Sequence, residues 1–310
     1  MDSFSRFLND GSADAPKLRV YLNLDNLTDL PIDSRWPGYE GAARYQQLQA
    51  DAFEGIQLTT DAPPDADAQL PHCGLDRINT PGEADAIAAK HASRGDSCIT
   101  VHAGWGLEDD DEVFRLVESI LAASYRYHLP IFIETHRATV TQDLWRTVQI
   151  ARKFPEVRFN ADFSHYYCGQ ELVYGNWDDK LTFMAPIFER VGFIHGRIAS
   201  PGCMQVPIGP KIDSRPLQAH GQINYVSHFK ELWIRSMLGF INGASPGDVL
   251  IFAPELLPAT HYYARMFPDN LGHLIEESDR YEQALLYKDL VRGCFADAME
   301  LFGASVRQIQ

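Results

Sequence analysis

The sequence predicts an α/β chain folded as one (β/α)8 barrel, and three observations carry that prediction. From residue 18 onward, eight strand-like segments follow one another, nearly all leading into a helix-like crossover. LPIFIET, GFIHGRI and DVLIFAPE are apolar without alternation, the mark of parallel strands covered on both faces. Four successive strand ends carry a carboxylate or an imidazole: Glu134, Asp162, His195 and Glu255. In such a barrel the active site gathers at the C-terminal ends of the strands. A doubly wound open sheet is the competing fold, but no GxGxxG follows any strand.

Residues 1–17 read as a polar leader, either loose or a short packed helix around Phe4–Leu8, and residues 18–310 as the barrel. LRVYLNLD (18–25) is the first strand, followed by a loop in which Trp36 is placed to line a pocket. An amphipathic helix over 39–51 leads to a second strand, FEGIQL (53–58). The Pro/Asp-rich DAPPDADAQLPHCG (61–74) cannot be a regular helix, so a loop replaces the second crossover helix. GLDRIN (74–79) is the third strand. Thr80-Pro81-Gly82-Glu83 then supplies an N-cap, a first-turn proline and a capping glutamate for a helix to about Ser93.

DSCITVHAGWG (96–106) is the fourth strand, turning at Gly104 and Gly106. A helix over 110–128 shows Val113, Leu116, Val117, Ile120 and Leu121 on one face. LPIFIET, then the helix VTQDLWRTVQIARKF, then the strand VRFNAD continue the alternation. DDKLTFMAPIFERV is a helix interrupted near Pro186, and GFIHGRI is the seventh strand. A Pro/Gly-rich excursion at 200–222 reads as a lid or pocket wall before a helix at 226–242. DVLIFAPE is the eighth strand, and a helix over 279–302 closes the chain.

At 310 residues, 45% hydrophobic and 22% charged, the chain suits one barrel with a large core. A net charge of −15 argues against nucleic acid or an anionic membrane as partner. Five cysteines without a CxxC pair, no apolar leader and no run of 18 apolar residues predict a soluble cytoplasmic protein with reduced thiols. Exposed barrel helices leave room for a homo-oligomer.

The stretch VRFNADFSHYYC (157–168) is the centre of the chemistry. Asp162 and His165 lie three apart where a strand becomes a loop, so both can enter one mouth. Glu134, Asp162, His195 and Glu255 together offer three oxygen ligands and one imidazole. That donor set favours one divalent ion, Mn²⁺ or Mg²⁺ first, with Co²⁺ and Zn²⁺ as alternatives. Around it, His165, Arg197, His102 and Trp105 are candidate substrate contacts, and His136 with Arg137 can orient Glu134. His72 has only its loop position to recommend it.

These residues match a family. With ETHR, ADFSH, HGR and PE at its fifth to eighth strand ends, the chain resembles the xylose isomerase-like TIM barrels of the sugar isomerase/epimerase superfamily. The resemblance spans about residues 18–300 and is specific in the second half. It implies a metal held by Glu134, Asp162, His195 and Glu255, and a substrate contact by His165. In the epimerases of that superfamily the two glutamates also face opposite sides of a substrate carbon and exchange its proton, which makes Glu134 and Glu255 the catalytic pair here.

The expected function is a metal-dependent isomerase or epimerase acting on a small polyhydroxy carbonyl compound (a sugar, keto acid or cyclitol) through an enediolate. A lyase or dehydratase using the same intermediate is the near alternative. An endonuclease IV-like phosphodiesterase would want an Asp-x-His after the seventh strand, which GRIASPGCMQVPIGPKIDSR lacks. A non-catalytic binding barrel is the third reading.

Overall fold

The computed structural model describes residues 6–59, 65, 67–209, 218–219, 222–223 and 225–309. Eight strands lie parallel, each pairing with the next: β1 (Lys17–Asn23), β2 (Gly55–Leu58), β3 (His72–Ile78), β4 (Ile99–Ala103), β5 (Ile131–Glu134), β6 (Phe159–Ala161), β7 (Val191–Gly196) and β8 (Asp248–Pro254). β8 pairs with both β7 and β1, Ile251 beside Phe193 and Val249 beside Lys17, so the sheet closes into a barrel. Close approach at the β7–β8 seam needs glycine: a Cβ on Gly196 would lie 2.2 Å from the Phe252 ring.

Alternation decides what each strand offers the interior, because residues two apart share a face. Tyr21, Cys98, Phe132, Phe193, Ile251 and Ala253 belong to one buried apolar cluster. Two residues further along their strands stand Asn23, Thr100, Glu134, His195 and, after Ala253, Glu255, all buried. The barrel is thus apolar towards its N-terminal end and polar at its C-terminal mouth. The opposite strand faces, including Val20, Leu22, Val101, Ile133, Ile194 and Phe252, pack in the outer core with helix residues such as Val113, Leu116, Ile120 and Trp233.

The helices are α1 (Gly41–Ala50), α2 (Ala84–Arg94), α3 (Asp110–Tyr127), α4 (Leu144–Lys153), α5 (Ser164–Gly169), α6 (Trp177–Phe188), α7 (Tyr225–Gly243) and α8 (Arg280–Ile309). Thr80 and Glu83 form the expected capping box ahead of α2, and Asp109 with Glu112 forms another at α3. No helix lies between β2 and β3 among the described residues, in keeping with the Pro/Asp-rich segment there.

Four local expectations change. Leu8–Asn9 is a strand antiparallel to the start of β8, not part of a helix, and Phe7 packs edge-on to Phe240 at 5.1 Å. This buries Phe7 and Leu8. α6 is not interrupted at Pro186: the helix carries it inside and ends two residues later, at Phe188. α5 follows β6 at once, and a hairpin of Met266–Pro268 with Leu274–Glu276 follows β8; neither was anticipated. Of the 200–222 excursion, Gln205 exchanges two hydrogen bonds with Leu257, and Ile208 two with Gln283 of α8, so its first half is tied to the barrel. Residues 210–217, 220 and 221 lie outside the described residues, and the lid expectation lies largely with them. Among the described residues, no helix is long and apolar enough to cross a membrane.

His72 does not approach the mouth. It begins β3, at the opposite end of the barrel, 3.4 Å from Asp96 in a buried ionic cluster. There His91 bonds Asp96 through Nδ1 at 2.5 Å and Asp76 through Nε2 at 3.0 Å. Arg94 and Lys90 complete the pairing. Burial alone would lower the His91 pKa, but the two aspartates raise it above 6.5. Burial would raise both aspartates, but His91 leads the contacts that hold them below 3.8. The His91 contribution is therefore full below pH 6.5 and fades as pH rises through its folded value. That of the aspartates is full above 3.8 and fades on acidification. Asp96→Asn should cost about 3 kcal/mol near pH 5–6, as expected for a broken buried pair. Denaturant melts across pH should show that deficit shrinking at both ends of the window.

Candidate active site

The four strand-end ligand candidates converge. Glu134 closes β5, Asp162 follows β6, His195 lies on β7 and Glu255 follows β8, and one ligand atom from each falls within 4.8 Å of every other. All four are buried. His195 Nδ1 stands 3.3 Å from Glu134 Oε2 and 3.3 Å from Glu255 Oε2. Its other nitrogen, Nε2, lies 2.9 Å from Gln57 Oε1, which can only accept. Nε2 therefore carries a hydrogen, and Nδ1 is the nitrogen turned towards the carboxylates.

Amides fix this arrangement. Asn160 Nδ2 reaches Glu134 Oε2 at 3.1 Å and His195 Nδ1 at 3.0 Å. Asn23 Nδ2 donates to Gln57 Oε1 at 3.1 Å and to Glu255 Oε1 at 3.2 Å, while Gln57 Nε2 donates to Thr100. Asp162 accepts from Ser164 N at 3.0 Å, at the start of α5. Outer partners of this kind orient metal ligands and set the histidine tautomer.

The donor set fits a hard divalent cation. Three carboxylates share one buried space with an imidazole nitrogen, and Glu134 Oε1 is buried without a hydrogen-bond partner. Electrostatics agree. Burial would depress His195, yet Glu255 and Glu134 push it up to about 9, so the site favours a positive charge at that nitrogen. Burial lifts Glu255 to about 7, helped by Glu134 and Asp162 against His195 and Arg197. For Glu134, burial is outweighed by His102 and His195, and its carboxyl sits well below the ordinary range.

Of the candidate substrate contacts, Arg197 is the most deeply placed, at 1% exposure. Its Nη2 donates to Asp162 Oδ2 and, at 2.9 Å, to Glu255 Oε2, and its Nε donates to Ser164 at 3.1 Å. His165 is buried beside it, Nε2 lying 3.5 Å from Arg197 Nη2; burial and then Arg197 hold it neutral. His136 lies between His165 and His102, its ring tilted against both, with centroids 3.8 and 4.2 Å away. His102 Nε2 approaches Glu134 Oε1 at 3.4 Å, so His102, Glu134 and His136 form a second cluster with metal-ligand geometry.

Trp105 is 54% exposed on the rim, with the Arg77 guanidinium 4.1 Å over its ring. Trp36 does not line the mouth; it is buried against Tyr281 and Tyr39, because an apolar ring in that loop finds α8 beneath it. Four participants escaped sequence reading. Asn23, Gln57 and Asn160 are single amides within their strands, and Tyr263 lies in the loop after β8. An amide two positions beyond an inward apolar residue, as Asn23 follows Tyr21, was the available signal.

No family model matches the chain, and no curated protein matches it. Solved structures do. The protein SMc04130 of Sinorhizobium meliloti 1021 is 15% identical over 89% of this chain and 98% of its own, with a TM-score of 0.50. A xylose isomerase-like TIM barrel protein from Mycobacterium smegmatis, in complex with magnesium, is 11% identical over 92% and 98%, with a TM-score of 0.47. The probable 3-DHS dehydratase AsbF of Bacillus anthracis, involved in petrobactin synthesis, is 14% identical over 77% and 92%, with a TM-score of 0.48. At such identities a likeness shows the fold and nothing finer. The chain is a (β/α)8 barrel, the fold that its resemblance to xylose isomerase-like TIM barrels implies.

Proposed function

We propose that the protein is a metal-dependent isomerase or epimerase of a small polyhydroxy carbonyl compound. The observation that carries this is the buried quartet Glu134, Asp162, His195 and Glu255 at the barrel mouth, with two glutamates from non-adjacent strands meeting at one histidine nitrogen. A divalent ion bound there supplies electrostatic stabilisation of negative charge on substrate oxygens. The chain's own residues do the rest. Glu134 and Glu255 hold and deliver the proton at the carbon beside the carbonyl, each on its own face. His165, kept neutral, and Arg197 bind and orient the substrate oxygens. Burial of the quartet excludes bulk water, which strengthens each of these interactions.

Incubation of the Mn²⁺-loaded protein with ketoses and keto acids in D₂O tests the reading. Deuterium should appear at the carbon beside the carbonyl of one of them, and chelation should stop it. Exchange that survives chelation, or none with any of these substrates, overturns it.

One observation favours a second reading, hydrolysis at a two-ion centre. His102 and His136 gather around the same Glu134, whose Oε1 has no hydrogen-bond partner. Two ions per chain would support it, and one supports the isomerase.

A further inference from the structure

Building on the proposed function, we infer that the substrate carries a carboxylate, received at the β6–β8 side of the mouth by Arg197 Nη1, His165 Nδ1 and Arg137, with Tyr263 as the shared wall. Two buried polar atoms here lack partners. Arg197 spends Nη2 and Nε on Asp162, Glu255 and Ser164, while its Nη1 is buried and unbonded. His165 Nδ1 is buried and unbonded too. Leaving such donors unmet costs about 1–3 kcal/mol each, more where the group is charged, so an acceptor is called for.

Both side chains border Tyr263. The Arg197 guanidinium carbon lies 4.5 Å from the Tyr263 ring centroid, and the His165 ring lies 6.5 Å from it. Arg137 adds a second guanidinium, 5.4 Å from the same ring. It is exposed and makes no ion pair among the described residues. Its place beside Tyr263, next to Arg197 and His165, is what singles it out, since other arginines such as Arg44 and Arg115 also make no ion pair among the described residues.

Charge balance points the same way. A divalent cation held by the quartet would, together with Arg197, balance Glu134, Asp162 and Glu255, leaving Arg137 as further positive charge beside the cleft. A neutral sugar would leave it unanswered, whereas a carboxylate matches the flat fork of a guanidinium with two oxygens. A phosphate shares the anionic chemistry, and the test separates the two.

Calorimetric titration of the full chain, with and without Mn²⁺, should compare D-gluconate, D-glucitol and D-glucitol 6-phosphate. Gluconate and glucitol differ in one terminal group. Gluconate should bind about tenfold more tightly than glucitol, as one charged hydrogen-bonded contact supplies. Arg137→Gln should remove most of that preference while Mn²⁺ content stays unchanged. Equal binding of gluconate and glucitol overturns the inference. So does a preference that survives Arg137→Gln and disappears without Mn²⁺, which would assign the carboxylate to the metal, or tighter binding of the phosphate. If Mn²⁺ never binds, the isomerase reading fails while the metal-free titration still judges the arginine site. If neutral ketoses exchange deuterium freely and gluconate shows no preference, only the carboxylate inference falls.

Discussion

Glu134→Gln and Glu255→Gln should each slow interconversion of the two configurations at the carbon by roughly 10²–10⁴-fold, the usual worth of one general base. Glutamine keeps the shape and one ligating oxygen, so metal content should change far less than rate. The two glutamates are not equivalent in surroundings. Glu134 receives Asn160 and sits near His102 and His195, whereas Glu255 receives Asn23 and Arg197. Loss of either should slow it this far, because each serves a different face of the carbon and the remaining one can exchange only the proton on its own face. His165→Ala should instead raise KM and spare the ion, marking a substrate contact. Interconversion at the wild-type rate in either glutamine variant with full metal would defeat the two-base scheme and leave a lyase or hydride-shift route.

Arg280→Met should be the most destabilising single change outside the site. Arg280 is fully buried at the start of α8 and donates to the backbone oxygens of Asp25, Asn26, Thr28 and Asp29 and to Glu276. It joins the loop after β1 to the hairpin after β8. Methionine of similar length would leave these acceptors and the Glu276 carboxylate unanswered, costing about 3–5 kcal/mol. For a chain of this size that is a fall in melting temperature of roughly 10 °C. Asn26 in turn donates to Pro254 O at 2.8 Å and accepts from Leu256 N at 3.0 Å, on either side of Glu255. Slackening at Arg280 should therefore reach the site and weaken metal retention as well. An unchanged melting point would show that water satisfies these groups as well as arginine does.

The quartet was legible because each ligand ends an apolar run, where a charged side chain has no packing reason to be. Its supports were not. Gln57 and Asn160 are neutral amides in strands of four and three residues, too short for alternation to declare a face. His72 and Trp36 show the converse. A histidine at a strand's first residue belongs to the far end of the barrel, and a loop tryptophan turned inward onto α8. The strand order needed only periodicity and crossovers. Short features such as the Leu8–Asn9 strand depend on the groove left by neighbours, which no local pattern encodes.

The most direct measurement is anomalous scattering at the manganese edge from crystals grown with Mn²⁺, read alongside elemental analysis of the same protein. One strong peak bounded by Glu134, Asp162, His195 Nδ1 and Glu255, at about one ion per chain, is the expected result. A peak elsewhere, or none with Mn²⁺ in excess, would contradict the metal-dependent reading at its root.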